Sequence, residues 1–232
     1  MNKLLPNTFS AHISKTEIQG LPLTYFDGET IIVDHPEMVA EAAAYLRQQT
    51  VLGVDTEARP SFQRGVHYPT ALVQVATEQR CYLFRLTHVG FPVEIAEIFA
   101  DASICKVGLA FKDDLTGLRR RREFKPANCI DLQSIVCKYG IMELGLQKIF
   151  AIIFGKKISK AQQLTNWENS HLTPEQARYA STDAWATLLI YLKLKATKPL
   201  SKKEVEALKQ AEKEAQILRQ QAALAKKQET KL

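Results

Sequence analysis

Val51-Leu52-Gly53-Val54 is a nearly unbroken apolar run that ends on Asp55-Thr56-Glu57. A short run with β-branched residues and no polar alternation reads as a central strand covered on both faces. Residues 30–33, 68–76 and 80–86 read as further strands, the last two joined by the polar turn Thr77-Glu78-Gln79. The spacing predicts helices over 35–49, 93–101, 112–122, 132–139 and 144–154, with short strands at 104–107 and 128–131. A last long helix follows Thr173-Pro174, an N-cap residue with proline at the first helical position, and runs to about Leu194. Strands that first form a meander and then alternate with helices predict an α/β chain, a mixed β-sheet flanked by helices.

Composition narrows the class. Apolar residues make up 46% and charged residues 24% of the 232, which suits one large or two small folded domains and excludes a disordered chain. The longest apolar run, Ile149 to Phe154, is far short of the roughly 20 residues of a membrane span, so no membrane partner is expected. Met1 to Pro6 lacks an apolar signal segment, and the cysteines at 81, 105, 129 and 137 form no CxxC pair. Reduced thiols and a cytoplasmic location are the expectation. Residues 1–27 are read as a leader packed on the domain, 28–197 as the domain itself, and 198–232 as a basic helical tail rich in Lys, Glu, Gln and Ala. The net charge of +6 and pI of 9.1 permit a polyanionic partner without requiring one. In the tail, Leu208, Ala211, Ala215, Leu218, Ala222 and Ala225 keep a 3-4 spacing. A seam so rich in alanine holds a partner weakly, leaving an oligomer through the tail as an open alternative to a solvated helix.

Three groups of carboxylates stand out. Asp55 and Glu57 are two apart on a strand and project to the same face. Two anions side by side at a buried strand repel and lose hydration, costs that a divalent cation removes. Tyr179 and Asp183 are four apart on an apolar helix and share a face, although a core aspartate bound to backbone donors would look the same. Asp113 and Asp114 compete for one role. Asp114 falls on the apolar stripe of Phe111, Leu115 and Leu118, whereas Asp113 falls on the far side and should face solvent.

Asp55-Thr56-Glu57, Asp114, and Tyr179 with Asp183, in that order, resemble the three motifs of the DEDD superfamily of 3′–5′ exonucleases. The tyrosine in the third motif resembles the DEDDy subgroup, which includes ribonuclease D and the exonuclease domain of the Werner-syndrome helicase. Val107-Gly108 ahead of Asp114 is similar to the second motif's approach, and Leu164 to Trp167 with Leu172 to Gln176 to the third's. Trp185 departs from the pattern, in a place where tyrosine is frequent. The resemblance covers about residues 28–197 and implies a ribonuclease-H-like fold.

The resemblance also implies a mechanism. Two Mg2+ or Mn2+ ions, about 3.5–4 Å apart, would offset the charge built up as a phosphodiester is hydrolysed, and carboxylate oxygens suit such hard cations. Asp55, Glu57 and Asp183 would bind the ion that activates water, Asp55 would bridge to the second, and Asp114 would hold that one through water. Tyr179 would orient the attacking water. Products would be nucleoside 5′-monophosphates released from a 3′ end, with no nucleotide cofactor. The partner would be a single-stranded or 3′-ended nucleic acid, DNA slightly favoured over RNA. Arg119 and Arg120, in a run of four arginines, would contact phosphates or merely suit a helix C-terminus. Lys156, Lys157 and Lys160 are candidate strand contacts, and Trp167 either stacks on a base or packs in the core. His67 and His171 have no role in a tyrosine-type site. The competing readings are a catalytically silent nucleic-acid-binding module and a ribonuclease D-like RNA-trimming enzyme.

Overall fold

A computed structural model describes residues 9–63 and 65–229. Six strands form one mixed sheet: β1 (Glu29–Val33), β2 (Val51–Ala58), β3 (Thr70–Ala76), β4 (Arg80–Arg85), β5 (Cys105–Gly108) and β6 (Cys129–Asp131), in the spatial order β1-β4-β3-β2-β5-β6. The β2-β3-β4 meander is antiparallel, and β1, β5 and β6 add in parallel. Helices α1 (Lys15–Gly20), α2 (Glu37–Leu46), α3 (Val93–Ala100), α4 (Phe111–Arg121), α5 (Leu132–Ile135), α6 (Leu146–Phe154), α7 (Pro174–Lys195) and α8 (Lys202–Glu229) complete the chain. The mixed sheet with flanking helices is the architecture expected.

Three differences from the expected elements have local causes. β2 runs on through Asp55 and Glu57 to Ala58, because β3 continues to pair with it as far as Ala58↔Thr70. β3 starts only at Thr70, after Pro69, which has no N–H to give to a ladder. The segment expected as one helix over 132–139 changes to a 3₁₀ turn at Val136–Tyr139 and stops at Gly140, whose φ of 88° suits glycine. α7 is capped as the sequence suggests, Thr173 and Gln176 exchanging side-chain-to-backbone hydrogen bonds.

α7 is the element that turns the sheet into a site. It lies flat across β2 because Gly53 has no side chain there: a Cβ would strike the Ala184 carbonyl oxygen and Leu188. Ala180 and Ala184, both fully buried, keep the helix backbone close to the sheet. Gly53→Ala is therefore expected to destabilise the protein by roughly 1–3 kcal/mol through overpacking. Chemical denaturation would check it, and a change below about 0.5 kcal/mol would show that α7 yields freely.

The leader and tail both touch the body. Ile18 and Phe26 are buried, Thr182 accepts the Phe26 N–H, and Leu23 bridges to Lys157. Residues 1–8 of the expected leader lie outside the described residues, as do residues 230–232 and the side chains of Ala222 and Ala225 in the alanine seam. α8 turns its half-buried residues Val205, Leu208, Glu212 and Ala215 inward. His12 clasps it, with Nδ1 3.1 Å from Glu143 and Nε2 2.8 Å from Glu212. Carboxylates accept at both ring nitrogens, so the clasp favours imidazolium. Burial lowers the His12 pKa, but the hydrogen bonds and charges of Glu212 and Glu143 outweigh it and leave the pKa raised above 6.5. A raised histidine pKa contributes stability that is full below 6.5 and lost as pH rises through the folded value. Hydrogen exchange in the first half of α8, corrected for intrinsic rates, is expected to speed up over that interval, and His12→Gln is expected to abolish the change.

Candidate active site

The site forms at the carboxyl end of β2. β5 pairs with β2 only as far as Gly53↔Val107, so residues 54–58 leave one edge free of a neighbouring strand, and α4 enters alongside. This is the crevice beyond the carboxyl ends of parallel strands in which open α/β sheets carry their sites. The entry of α4 is fixed by Asp131 at the end of β6. Its carboxylate accepts the N–H groups of Ala110 (3.1 Å), Phe111 (3.0 Å) and Gln133 (2.9 Å), and so caps both α4 and α5. Ala110 adopts a left-handed φ of 53° at this turn.

From these elements come the side chains. One carboxylate oxygen each from Asp55, Glu57 and Asp183 lie within 4.8 Å of one another. Asp114 faces the group from α4 and accepts the Thr56 hydroxyl at 2.5 Å, while Asp113 on the next position is exposed. Tyr179 stands one turn before Asp183, its hydroxyl hydrogen-bonded to that carboxylate and its ring 6.0 Å from Trp167. Asp55, Thr56, Glu57, Tyr179 and Asp183 line a cleft of about 290 Å³ with Lys160 and Gln163.

The electrostatics of the cleft are those of an uncompensated anion cluster. Burial, then the charges of Asp183, Glu57 and Asp114, hold the Asp55 carboxyl well above the usual carboxylate range. Burial and the same neighbours push Glu57 up to about 9. Burial raises Asp114 to about 7 against the Thr56 hydrogen bond, and raises Asp183 to about 7 against the Tyr179 hydrogen bond and the Lys160 charge. The Tyr179 phenol is raised too, first by burial and then by the surrounding carboxylates. Among the residues lining the cleft, Lys160 is the one cationic side chain. Four oxygen-donor side chains facing each other with so little positive charge fit a site for hard divalent cations.

The expected nucleic-acid contacts divide. Lys160 lines the cleft; Lys156 is exposed and does not. Lys157 is a correction, since its Nζ donates to the Gln19 carbonyl at 2.5 Å and ties down the leader. Trp167 is another: it is fully buried and has no ring face free for a base. Arg119 and Arg120 are exposed at the far end of α4, and Arg119 lines a separate cavity with Lys112 and Pro126, so neither reaches the acidic cleft. Of the other two arginines, Arg121 donates to the Thr70 carbonyl and Arg122 to that of Phe91.

Sequence reasoning missed several residues. Thr56 and Asp131 position Asp114, and the signal for Thr56 was its place between the two motif carboxylates. Arg85, fully buried on β4, donates to the carbonyls of Asn169 and Ser170 and so fixes the segment that carries Lys160 and Gln163. A neighbouring cavity of about 360 Å³ is lined by Arg59, Phe62, Tyr68 and Leu164, with Phe62 85% and Leu164 68% exposed and the Arg59 guanidinium 4.8 Å from the Tyr68 ring centre.

Comparison with known proteins places this geometry. The mouse bifunctional 3′-5′ exonuclease/ATP-dependent helicase WRN is 31% identical over 150 residues, covering 62% of this chain and 11% of its own. The chain spans between 11% and 52% of the length of the first curated relatives it matches. The Aedes aegypti Nibbler EXO domain superimposes with a TM-score of 0.67 at 21% identity, over 80% of this chain and 99% of that one. Trypanosoma brucei RNase D, solved in complex with RNA U12, does so with a TM-score of 0.64 at 20% identity, over 80% of this chain and 66% of its own. The family model described as 3′-5′ exonuclease matches residues 30–197, well over half of the chain, which therefore belongs to the DEDD-superfamily 3′–5′ exonucleases.

Proposed function

We propose that this chain is a tyrosine-type exonuclease that removes nucleoside 5′-monophosphates from single-stranded 3′ ends, with DNA favoured over RNA. The observation that carries the reading is the convergence of the Asp55, Glu57 and Asp183 carboxylates beside Asp114 and Tyr179. Asp55, Glu57 and Asp183 would hold one Mg2+ or Mn2+ ion, and Asp55 with Asp114 the other. Such a pair supplies positive charge against the phosphate and water that is nucleophilic near neutral pH. The chain's own residues do the positioning. With its pKa raised, Tyr179 stays protonated at working pH, so it orients the attacking water by a hydrogen bond and is no base. Lys160 offers a cation to the strand's phosphates at the cleft mouth. Phe62, Tyr68 and Leu164 beyond Glu57 offer faces on which the bases behind the 3′ end stack.

The preference for DNA rests on sequence likeness to the helicase-linked exonuclease. The RNA-bound RNase D is a likeness of fold, and its substrate marks the alternative. We assign residues 28–197 as the exonuclease domain and the cytoplasm as its compartment, where the four free thiols stay reduced.

The test is degradation of 3′-labelled and 5′-labelled single strands of DNA and RNA, with Mg2+, Mn2+ or a chelator. Metal-dependent shortening from the 3′ end to mononucleotides, faster on DNA, is expected. Faster loss of RNA would reverse the substrate preference, and bound but uncut strands would make the chain a binding module.

A further inference from the structure

Gln74 on β3 is fully buried, and neither its Nε2 nor its Oε1 has a hydrogen-bond partner among the described residues. Its register partner on β2 is Asp55. Directly opposed residues on antiparallel strands project to the same face with Cβ atoms about 4.5–5.5 Å apart, within reach of a glutamine side chain. That face is the one α7 covers, as the contact of Gly53 with Ala184 and Leu188 shows. Buried polar atoms are almost always paired, so an unpaired amide next to a motif carboxylate calls for a reason.

The other unpaired atoms supply part of it. Among the buried side-chain atoms of the described residues, four are without a partner: the two of Gln74, Arg121 Nε and Trp167 Nε1. Gln74 Oε1 is the one acceptor of the four. Trp167 packs in the same cluster as Leu72, two residues before Gln74, and Leu83, opposite Gln74 on β4. Gln74 Oε1 is thus an unpaired acceptor and Trp167 Nε1 an unpaired donor beside the same residues, Leu72 and Leu83.

We propose that Gln74 is a positioning residue for Asp55: its amide donates to the carboxylate oxygen turned away from the cations, and its carbonyl accepts from Trp167. The inference rests on the metal-dependent nuclease reading. A carboxylate has about four acceptor positions, and cations held in the cleft would take the outward ones. A donor on the inner side then fixes its orientation, as partners behind metal ligands generally do. The pairing links Asp55 to the segment that carries Lys160.

The test measures Mn2+ affinity by calorimetry and melting temperature in chelator for the wild type and for Gln74→Met, an apolar replacement of similar length. Gln74→Met is expected to fold but to melt somewhat lower than the wild type without metal, since it gives up the hydrogen bonds to Asp55 and Trp167, and to bind Mn2+ about tenfold more weakly or worse. In an Asp55→Asn background the same substitution is expected to cause no further loss. Unchanged Mn2+ affinity, or an equal loss in that background, would overturn the proposal. Should Gln74→Met not fold, the Trp167 indole N–H resonance of the wild type decides. A shift on adding Mg2+ supports the proposal, and a resonance that stays in place refutes it. A wild type that binds no Mn2+ would instead bring down the nuclease reading and this inference with it.

Discussion

Replacing Asp55 by alanine is expected to lower exonuclease activity on the order of 10⁴-fold while leaving the protein folded. Asp55 is the one carboxylate assigned to both cations, so its loss removes transition-state charge stabilisation of several kcal/mol, at about 1.4 kcal/mol per tenfold. The fold should tolerate the change, because the Asp55 carboxyl is repelled by Asp183, Glu57 and Asp114. Its melting temperature in chelator is expected to rise. Tyr179→Phe removes only an O–H and keeps the ring beside Trp167, so kcat is expected to fall about 10²-fold with little change in KM. Single-turnover rates on a 3′-labelled strand measure both. Asp55→Ala activity within tenfold of wild type would show that the cluster is not where the bond is cut.

The second large effect is on stability. Without divalent cations, the protein is expected to lose stability steadily as pH rises from about 4 to 9. Glu57 is held at about 9, and Asp114 and Asp183 at about 7, all above their ordinary carboxylate values. Over that interval the folded chain binds more protons than the unfolded one, so the stability of folding falls as pH rises. At about 1.4 kcal/mol for each pH unit between folded and unfolded values, the total reaches several kcal/mol. Mg2+ or Mn2+ should reverse the trend, because a cation binds the deprotonated cluster and stabilises the folded state by mass action. Melting curves from pH 5 to 9, in chelator and in Mg2+, would show a falling line and a flat or rising one. Parallel lines would mean that the cluster holds no cation.

The features legible in sequence are those with a local period. Two residues along a strand set Asp55 and Glu57 on one face, and four along a helix join Tyr179 to Asp183. Helical phase turns Asp114 inward to Thr56 and leaves Asp113 in solvent. These follow from backbone geometry, which every short segment carries within itself.

Other outcomes depended on which surfaces meet. Trp167 is buried because α7 and the sheet close around it, and an indole is apolar enough to go either way. Lys157 serves the leader because a residue 138 positions earlier offers it a carbonyl. Arg119 and Arg120 end up away from the cleft because the start of α4, and not its end, faces β2. Arg85, Asp131 and Gln74 carry no motif; each matters through partners brought close by the sheet order. The sequence by itself thus determined the strands, the helices and the faces on which the carboxylates lie, since backbone periodicity needs no distant partner. The tertiary structure alone decided which cations and aromatics stand at the cleft, since that turns on contacts between residues far apart in the chain.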